Sequence, residues 1–219
     1  MLLRVLYTLL FFAFALTSCS EGNSEGFVRQ SIDTADTTGL AKATFAGGCF
    51  WCTEAYFERL KGVEAVVSGY SGGTTPDPTY QEVSAGNTDY AEAVQVYYDP
   101  EKISFEELVE VFFATHNPTT LNRQGPDIGK QYRSIAFYRT PQEKQVIEDY
   151  IRELEEAGTY QNEIVTHVEP FKKFWEAEEY HQDYYRRNPT DPYVVSVARP
   201  KVQKFEDSYR DKLKPEFVQ

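Results

Sequence analysis

The residues best equipped for chemistry sit together at Gly47-Gly48-Cys49-Phe50-Trp51-Cys52, where two thiols bracket two large aromatic side chains. Only three cysteines occur in the chain, so this stretch concentrates the strongest soft nucleophile a protein carries. A thiolate attacks soft electrophiles such as sulfur. A second thiol within reach can then close a disulfide that external thiols reopen. Cys49 is the expected nucleophile, and a three-residue helical offset brings Cys52 within bonding range of it.

The elements around this stretch decide whether Cys49 is reactive. Residues 43–46 predict a short strand, and the apolar spacing after Gly48 predicts a helix starting at or just after Cys49. The free amides and positive dipole end of that helix would favour thiolate over thiol. Further strands are predicted at 63–70, 92–98 and 134–138, with a Gly- and Pro-rich loop over 71–79. Ser104 with Glu107 makes a capping-box signature for a helix that ends before Asn117-Pro118. Pro141 opens another helix, to about residue 157, which Gly158 stops. Strand, helix, strand, strand, helix, strand predicts an α+β fold: a mixed or antiparallel sheet with a split β-α-β, ferredoxin-like core and helices packed on it. Beyond that core, 164–168 reads as an edge strand and 174–187 as a short helix. The tail from Asp191 either wraps the domain or ends as a charged helix.

A chain of 219 residues suffices for one sizeable domain. Its formal net charge of -12 argues against nucleic acid as a partner, since phosphate backbones demand a basic face. The N-terminus reads as a targeting segment. Arg4 precedes an apolar run over 5–16 that is too short to span a bilayer comfortably but suits the hydrophobic region of a signal peptide. Leu16-Thr17-Ser18-Cys19 resembles the lipobox of bacterial lipoproteins, which implies cleavage before Cys19 and its acylation. An ordinary secretory signal with an incidental cysteine is the alternative. The stretch that follows is too polar to bury enough surface to repay its ordering. The expected organisation is therefore signal peptide 1–18, lipidated flexible tether 19–40 and a single catalytic domain 41–213. The expected location is the cell envelope, outside the cytoplasm and anchored to a membrane.

Six ordered motifs carry a more specific resemblance: Gly48-Cys49-Phe50-Trp51, Gly69-Tyr70-Ser71-Gly72-Gly73, Pro78-Thr79-Tyr80, Ala91-Glu92, Tyr98-Asp99-Pro100 and Gln131-Tyr132-Arg133-Ser134. Over roughly 43–189 the chain resembles peptide methionine sulfoxide reductases of the A type, in the subtype with Gly-Cys-Phe-Trp-Cys. The resemblance implies that Cys49 attacks the sulfoxide sulfur while Glu92, kept protonated by burial, gives a proton to the oxygen. It carries to Tyr80 and Tyr132 the task of holding that oxygen, and to Asp127 the positioning of a water or a neighbouring donor. Phe50 and Trp51 would wall the pocket for the substrate methyl group. Many family members keep a resolving cysteine near the C-terminus. This chain has none after Cys52, so Cys52 is the candidate to convert the Cys49 sulfenic acid into a disulfide for a thioredoxin-like thiol to reduce. Methionine sulfoxide, free or in proteins and with the S configuration at sulfur, is the substrate the resemblance implies. The chain departs from the family at Asp89-Tyr90, where Gly-His is frequent, and at Pro126, where Asn is frequent.

No cofactor and no metal is expected. His116, His167 and His181 lie far apart in sequence and read as surface or packing residues, and Cys49 with Cys52 is half a zinc site at most. Two other functions fit the thiol pair: a lipid-anchored thiol-disulfide oxidoreductase, and a non-enzymatic binding module with an aromatic cage. Glu92, Tyr80 and Tyr132 discriminate, because disulfide exchange has no departing oxygen to protonate and a binding module needs no accessible thiolate.

Overall fold

The computed structural model describes residues 38–218. The expected signal peptide at 1–18, the expected lipidation site at Cys19 and nearly all of the expected tether lie outside the described residues.

Among the described residues, eight strands and six α-helices follow in order: β1 (Ala41–Gly47), α1 (Phe50–Glu58), β2 (Val63–Ser71), α2 (Tyr80–Ser84), β3 (Ala91–Tyr98), α3 (Phe105–Thr115), β4 (Arg123–Gln124), β5 (Asp127–Ile128), β6 (Ser134–Tyr138), α4 (Pro141–Glu156), β7 (His167–Pro170), β8 (Phe174–Glu176), α5 (Tyr184–Arg187) and α6 (Arg199–Ser208). The main sheet runs β7-β6-β1-β3-β2-β8, and β4 and β5 form a separate small hairpin. Within the main sheet β6, β1, β3 and β2 are antiparallel neighbours. β3 therefore splits the β1-α1-β2 unit and β1 splits β3-α3-β6, which is the expected ferredoxin-like core of an α+β fold. β7 adds in parallel to β6 and β8 antiparallel to β2, making the sheet mixed.

Strand alternation sorts the side chains. Ala43 and Phe45 of β1 and Val94 and Val96 of β3 join the large core beneath the helices, where Phe45 stacks on Phe57 of α1 at 5.4 Å and on Phe112 of α3 at 4.9 Å. Ala46, Ala91, Ala93, Ile135 and Phe137 face the other way, under Phe171 and Phe174. Glu92 has the parity of Val94 and Val96, so period-two alternation turns a carboxyl toward α1 and away from water.

Two expectations change at the C-terminal side. The edge strand predicted at 164–168 is β7, displaced to His167–Pro170. The helix predicted over 174–187 is instead strand β8, a single 3-10 turn at Glu179–His181 and the short α5. The reason lies across the sheet. A Cβ on Gly69 would fall 2.2 Å from the Trp175 carbonyl oxygen, so its missing side chain leaves an open strand edge on which 174–176 pairs. The tail does both things expected of it. A π-helical turn at Val194–Ala198 runs into α6, Phe205 packs on Tyr56 of α1 at 5.3 Å, and Leu213 bridges to Leu60. No helix among the described residues is long and apolar enough to cross a membrane.

Candidate active site

Cys49 is the N-cap residue of α1, with extended backbone (φ -57°, ψ 122°) and no capping hydrogen bond from its side chain. Gly48, at φ +101°, makes the turn from β1 into the helix, and a Cβ there would strike Gln124 at 2.8 Å, so only glycine fits. The half-buried Cys49 side chain is thus presented at a sharp strand-to-helix corner.

The carboxyl of Glu92 lies directly beside that corner. Only 2% of the residue is exposed, and Oε2 accepts the backbone N–H of Phe50, the neighbour of Cys49, at 3.0 Å. Two effects compete for its proton. Burial of an ion costs several kcal/mol, whereas one charge-assisted hydrogen bond returns about 1.5–3 kcal/mol. Burial wins, reinforced by the Cys49 sulfur, and the carboxyl is held well above the usual carboxylate range. The site favours the neutral carboxylic acid over the carboxylate.

Cys49 behaves differently from the expectation set by its place at a helix terminus. Burial first, then the adjoining Cys52 thiol, pushes the Cys49 thiol well above its ordinary range, while the Tyr193 hydroxyl works in the opposite direction. The N–H of Phe50, which would otherwise face an anion at the helix end, is already committed to Glu92, and that of Cys52 to the Cys49 carbonyl at 3.1 Å. Cys52, 5% exposed, is shifted downward by its hydrogen bond to Cys49, with the Lys201 ammonium helping. The two sulfurs are hydrogen-bonded to each other and titrate as a pair. Both thiols are free.

Two half-buried phenols complete the acid side. Tyr80 opens α2, stacks on Phe50 at 6.4 Å and has its hydroxyl pushed up to about 12 by burial and by Glu92. Tyr132 follows Gly129 in a 3-10 turn, and burial, Glu92 and Cys49 raise it in the same way. Neither hydroxyl has a hydrogen-bonding protein partner among the described residues. Two phenol donors are therefore available to a ligand oxygen near Cys49 and Glu92. Asp127 lies on β5, after the Gly125-Pro126 turn of the small hairpin, and accepts the Tyr193 hydroxyl at 2.8 Å. Of the predicted apolar wall, Trp51 is half-buried, while Phe50 is only 1% exposed and belongs mainly to the core.

Several residues that hold this site carried no motif of their own. Trp51 stacks face to face on Tyr184 at 3.7 Å and donates its indole N–H to His181 Nδ1 at 3.1 Å. That bond fixes the neutral tautomer of His181, whose ring is 2% exposed and whose pKa is lowered by burial. Gln182 clamps the segment to β2, giving its amide to the carbonyls of Ser68 and Ala177 and accepting the Ser68 N–H. Glu178 accepts the N–H of Tyr80 and the hydroxyl of Tyr70, each at 2.9 Å, which fixes the start of α2. Asp191 accepts the amides of Tyr193 and Val194 and so places Tyr193 against the sulfurs. The α2 helix was missed too, although its signal was present: Thr79 and Glu82 form a complete capping box. Tyr90, at one of the family departures, is buried and links strands, taking the indole N–H of Trp175 and donating to the Thr75 carbonyl.

A thiol at the entrance to a helix, a second thiol one turn on, a buried acid shifted toward its protonated form and two unengaged phenols define a thiol-dependent reductase that removes an oxygen atom. Comparison with known proteins agrees with that class. A family model described as peptide methionine sulfoxide reductase matches residues 41–213. The chain is 52% identical over 173 residues to the peptide methionine sulfoxide reductase MsrA of Natronomonas pharaonis, a match covering 79% of this chain and 97% of that one. It is 51% identical over 188 residues to MsrA 1 of Rhodopirellula baltica, covering 86% and 97% respectively. Among solved structures it is similar to reduced Mxr1 from Saccharomyces cerevisiae, with a TM-score of 0.65 and 39% identity, covering 71% of this chain and 89% of that one. The chain belongs to the peptide methionine sulfoxide reductase family.

Proposed function

We propose that the protein, as a peptide-methionine (S)-S-oxide reductase, works through Cys49 as nucleophile, Glu92 as acid and Cys52 as resolving thiol, in the manner of the Gly-Cys-Phe-Trp-Cys subtype. The sulfoxide oxygen lies between the Tyr80 and Tyr132 hydroxyls and the Glu92 carboxyl, whose proton makes the attached sulfur more electrophilic. The Cys49 thiolate attacks that sulfur. The methionine sulfur gains two electrons and leaves as a thioether. The Cys49 sulfur loses two and keeps the oxygen as a sulfenic acid. The Cys52 sulfur then displaces the oxygen as water and a Cys49–Cys52 disulfide remains, which a thioredoxin-like thiol reduces. Trp51 meets the substrate methyl group, and Asp127 acts through the Tyr193 hydroxyl that it holds.

One observation supports the reading above the others: Glu92 is buried, hydrogen-bonded to the residue next to the nucleophile, and shifted by that burial toward its protonated form. Plain thiol-disulfide exchange has no use for such an acid. Incubation with a methionine sulfoxide peptide and dithiothreitol, followed by mass spectrometry, should yield methionine, and Cys49→Ser should abolish it. Methionine formation by Cys49→Ser would remove Cys49 from the mechanism.

The catalytic domain at 41–213 is proposed to stand on a tether, 19–40, exported by the signal peptide 1–18 and held in the cell envelope by a lipid on Cys19. Support comes from Arg4, the apolar run 5–16 and the Leu-Thr-Ser-Cys sequence. Labelling with a radioactive fatty acid tests it: incorporation should vanish in Cys19→Ala, and an unlabelled wild-type protein would contradict the anchor.

A further inference from the structure

Away from Glu92, Cys49 and Cys52 line a cavity of about 480 Å³, walled by Tyr56, His116, Gln124, Lys201, Lys204 and Tyr209. Glu92, Tyr80, Tyr132 and Trp51 do not line it. Its volume lies within the roughly 300–1,000 Å³ typical of small-molecule sites. Its walls combine aromatic surface with two cations. Lys201 and Lys204 project from α6, and neither ammonium makes an ion pair or a hydrogen bond among the described residues. In a chain of net charge -12, where carboxylates are abundant, two unpartnered ammonium groups in one concavity are out of balance. Lys201 is half-buried, with Nζ beside Gly125 and close enough to Cys52 to favour its thiolate.

We propose that this cavity is a binding site for a carboxylate-bearing, low-molecular-weight thiol, which Lys201 and Lys204 hold by its carboxylates while its sulfur reduces the Cys49–Cys52 disulfide. The proposal rests on the reading of Cys52 as the resolving thiol and adds the reductant's entrance and chemical class. The chemistry balances. The incoming thiolate bonds to the Cys52 sulfur, and the Cys49–Cys52 bond breaks with its electron pair on Cys49. A second molecule of thiol attacks the sulfur of the first, releasing the Cys52 thiolate and a small-molecule disulfide. Two electrons enter from two thiols, and the substrate side of Cys49 is never blocked by the reductant. A concave site of this size suits a small thiol better than the broad face of a protein, and the paired cations select an anionic one over a neutral one.

The test uses the full chain and the double variant Lys201→Gln/Lys204→Gln, whose positions are half-buried and exposed and whose replacement leaves the packing of α6 on α1 intact. Each protein is first oxidised with one round of excess methionine sulfoxide peptide, without reductant, and its thiols are mapped by mass spectrometry. The disulfide is then reduced with glutathione, which is anionic, with neutral dithiothreitol, and with a thioredoxin. The double variant should lose about tenfold per lysine in its rate with glutathione and clearly less with dithiothreitol, where only the support Lys201 gives the Cys52 thiolate is removed. Equal losses with both thiols, or an unchanged glutathione rate, would overturn the proposal. A loss with thioredoxin alone would overturn it in favour of a protein-docking face. If no Cys49–Cys52 disulfide forms, the resolving role of Cys52 fails and the proposal fails with it. A mapped disulfide with unaltered kinetics rejects only the cavity.

Discussion

The two sides of Cys49 differ in how they handle charge. The acid side is built of groups held neutral by burial: a carboxyl raised well above its usual range, two raised phenols and a lowered imidazole. The cavity side carries the lysines Lys201 and Lys204 and the thiol of Cys52, whose shift favours its ionised form. Removing oxygen from a sulfoxide consumes a proton. Reopening a disulfide needs thiolates and no acid. The difference teaches that a single nucleophile can serve two half-reactions with opposite proton demands if each is given its own dielectric surroundings.

The largest expected break in this contrast is Glu92→Gln. It keeps the shape of the side chain and removes its proton, so single-turnover methionine formation at pH 7 should fall by about 10²–10⁴. The pH profile gives the sign. Glu92 donates only while protonated, and burial shifts that form's range upward in pH, so the wild-type rate should decline as pH rises through the raised value. In Glu92→Gln that alkaline limb should disappear. Stopped-flow measurement across pH checks it, and an unchanged rate at pH 7 would take Glu92 out of the chemistry.

Tyr80→Phe and Tyr132→Phe come next. Each removes one donor from the proposed oxygen site, and a loss of about 10–10² in single-turnover rate per substitution is expected, with little change in disulfide reduction by dithiothreitol. A loss confined to disulfide reduction would move these phenols to the other side of the comparison.

The smallest effect concerns His116, which lines the cavity and is held at about 4 by burial. The unfolded chain protonates this ring near pH 6.5, before the folded one does. Its contribution to stability is thus complete above pH 6.5 and is lost as pH falls toward 4. In denaturant titrations, His116→Gln should flatten the decline in stability between those values. An equally steep decline in the variant would show that the acid sensitivity arises elsewhere.

Legibility in the sequence followed the range of the interactions. The core was readable because strand parity, the capping box at Ser104 and the Pro141 helix start are local signals, and parity also turns Glu92 inward. The order of the six motifs brought Tyr80, Tyr132 and Asp127 to attention. Segment 174–193 was not readable. Its strand depends on the absent side chain of Gly69, more than a hundred residues away in the chain. His181, Glu178 and Tyr193 act through partners that only the tertiary fold supplies. The expected acidification of Cys49 also failed for a tertiary reason, since Glu92 takes the helix-end amide that would have served the thiolate.

The division of labour between Cys49 and Cys52 is tested most directly by one turnover of Cys52→Ser. The reduced variant, mixed with excess methionine sulfoxide peptide and no reductant, should release one equivalent of methionine at the wild-type rate and retain a sulfenic acid on Cys49, trapped by dimedone and located by mass spectrometry. With thioredoxin as sole reductant it should then stall. Sustained cycling of Cys52→Ser on thioredoxin, or a first turnover that yields no methionine, would contradict the account.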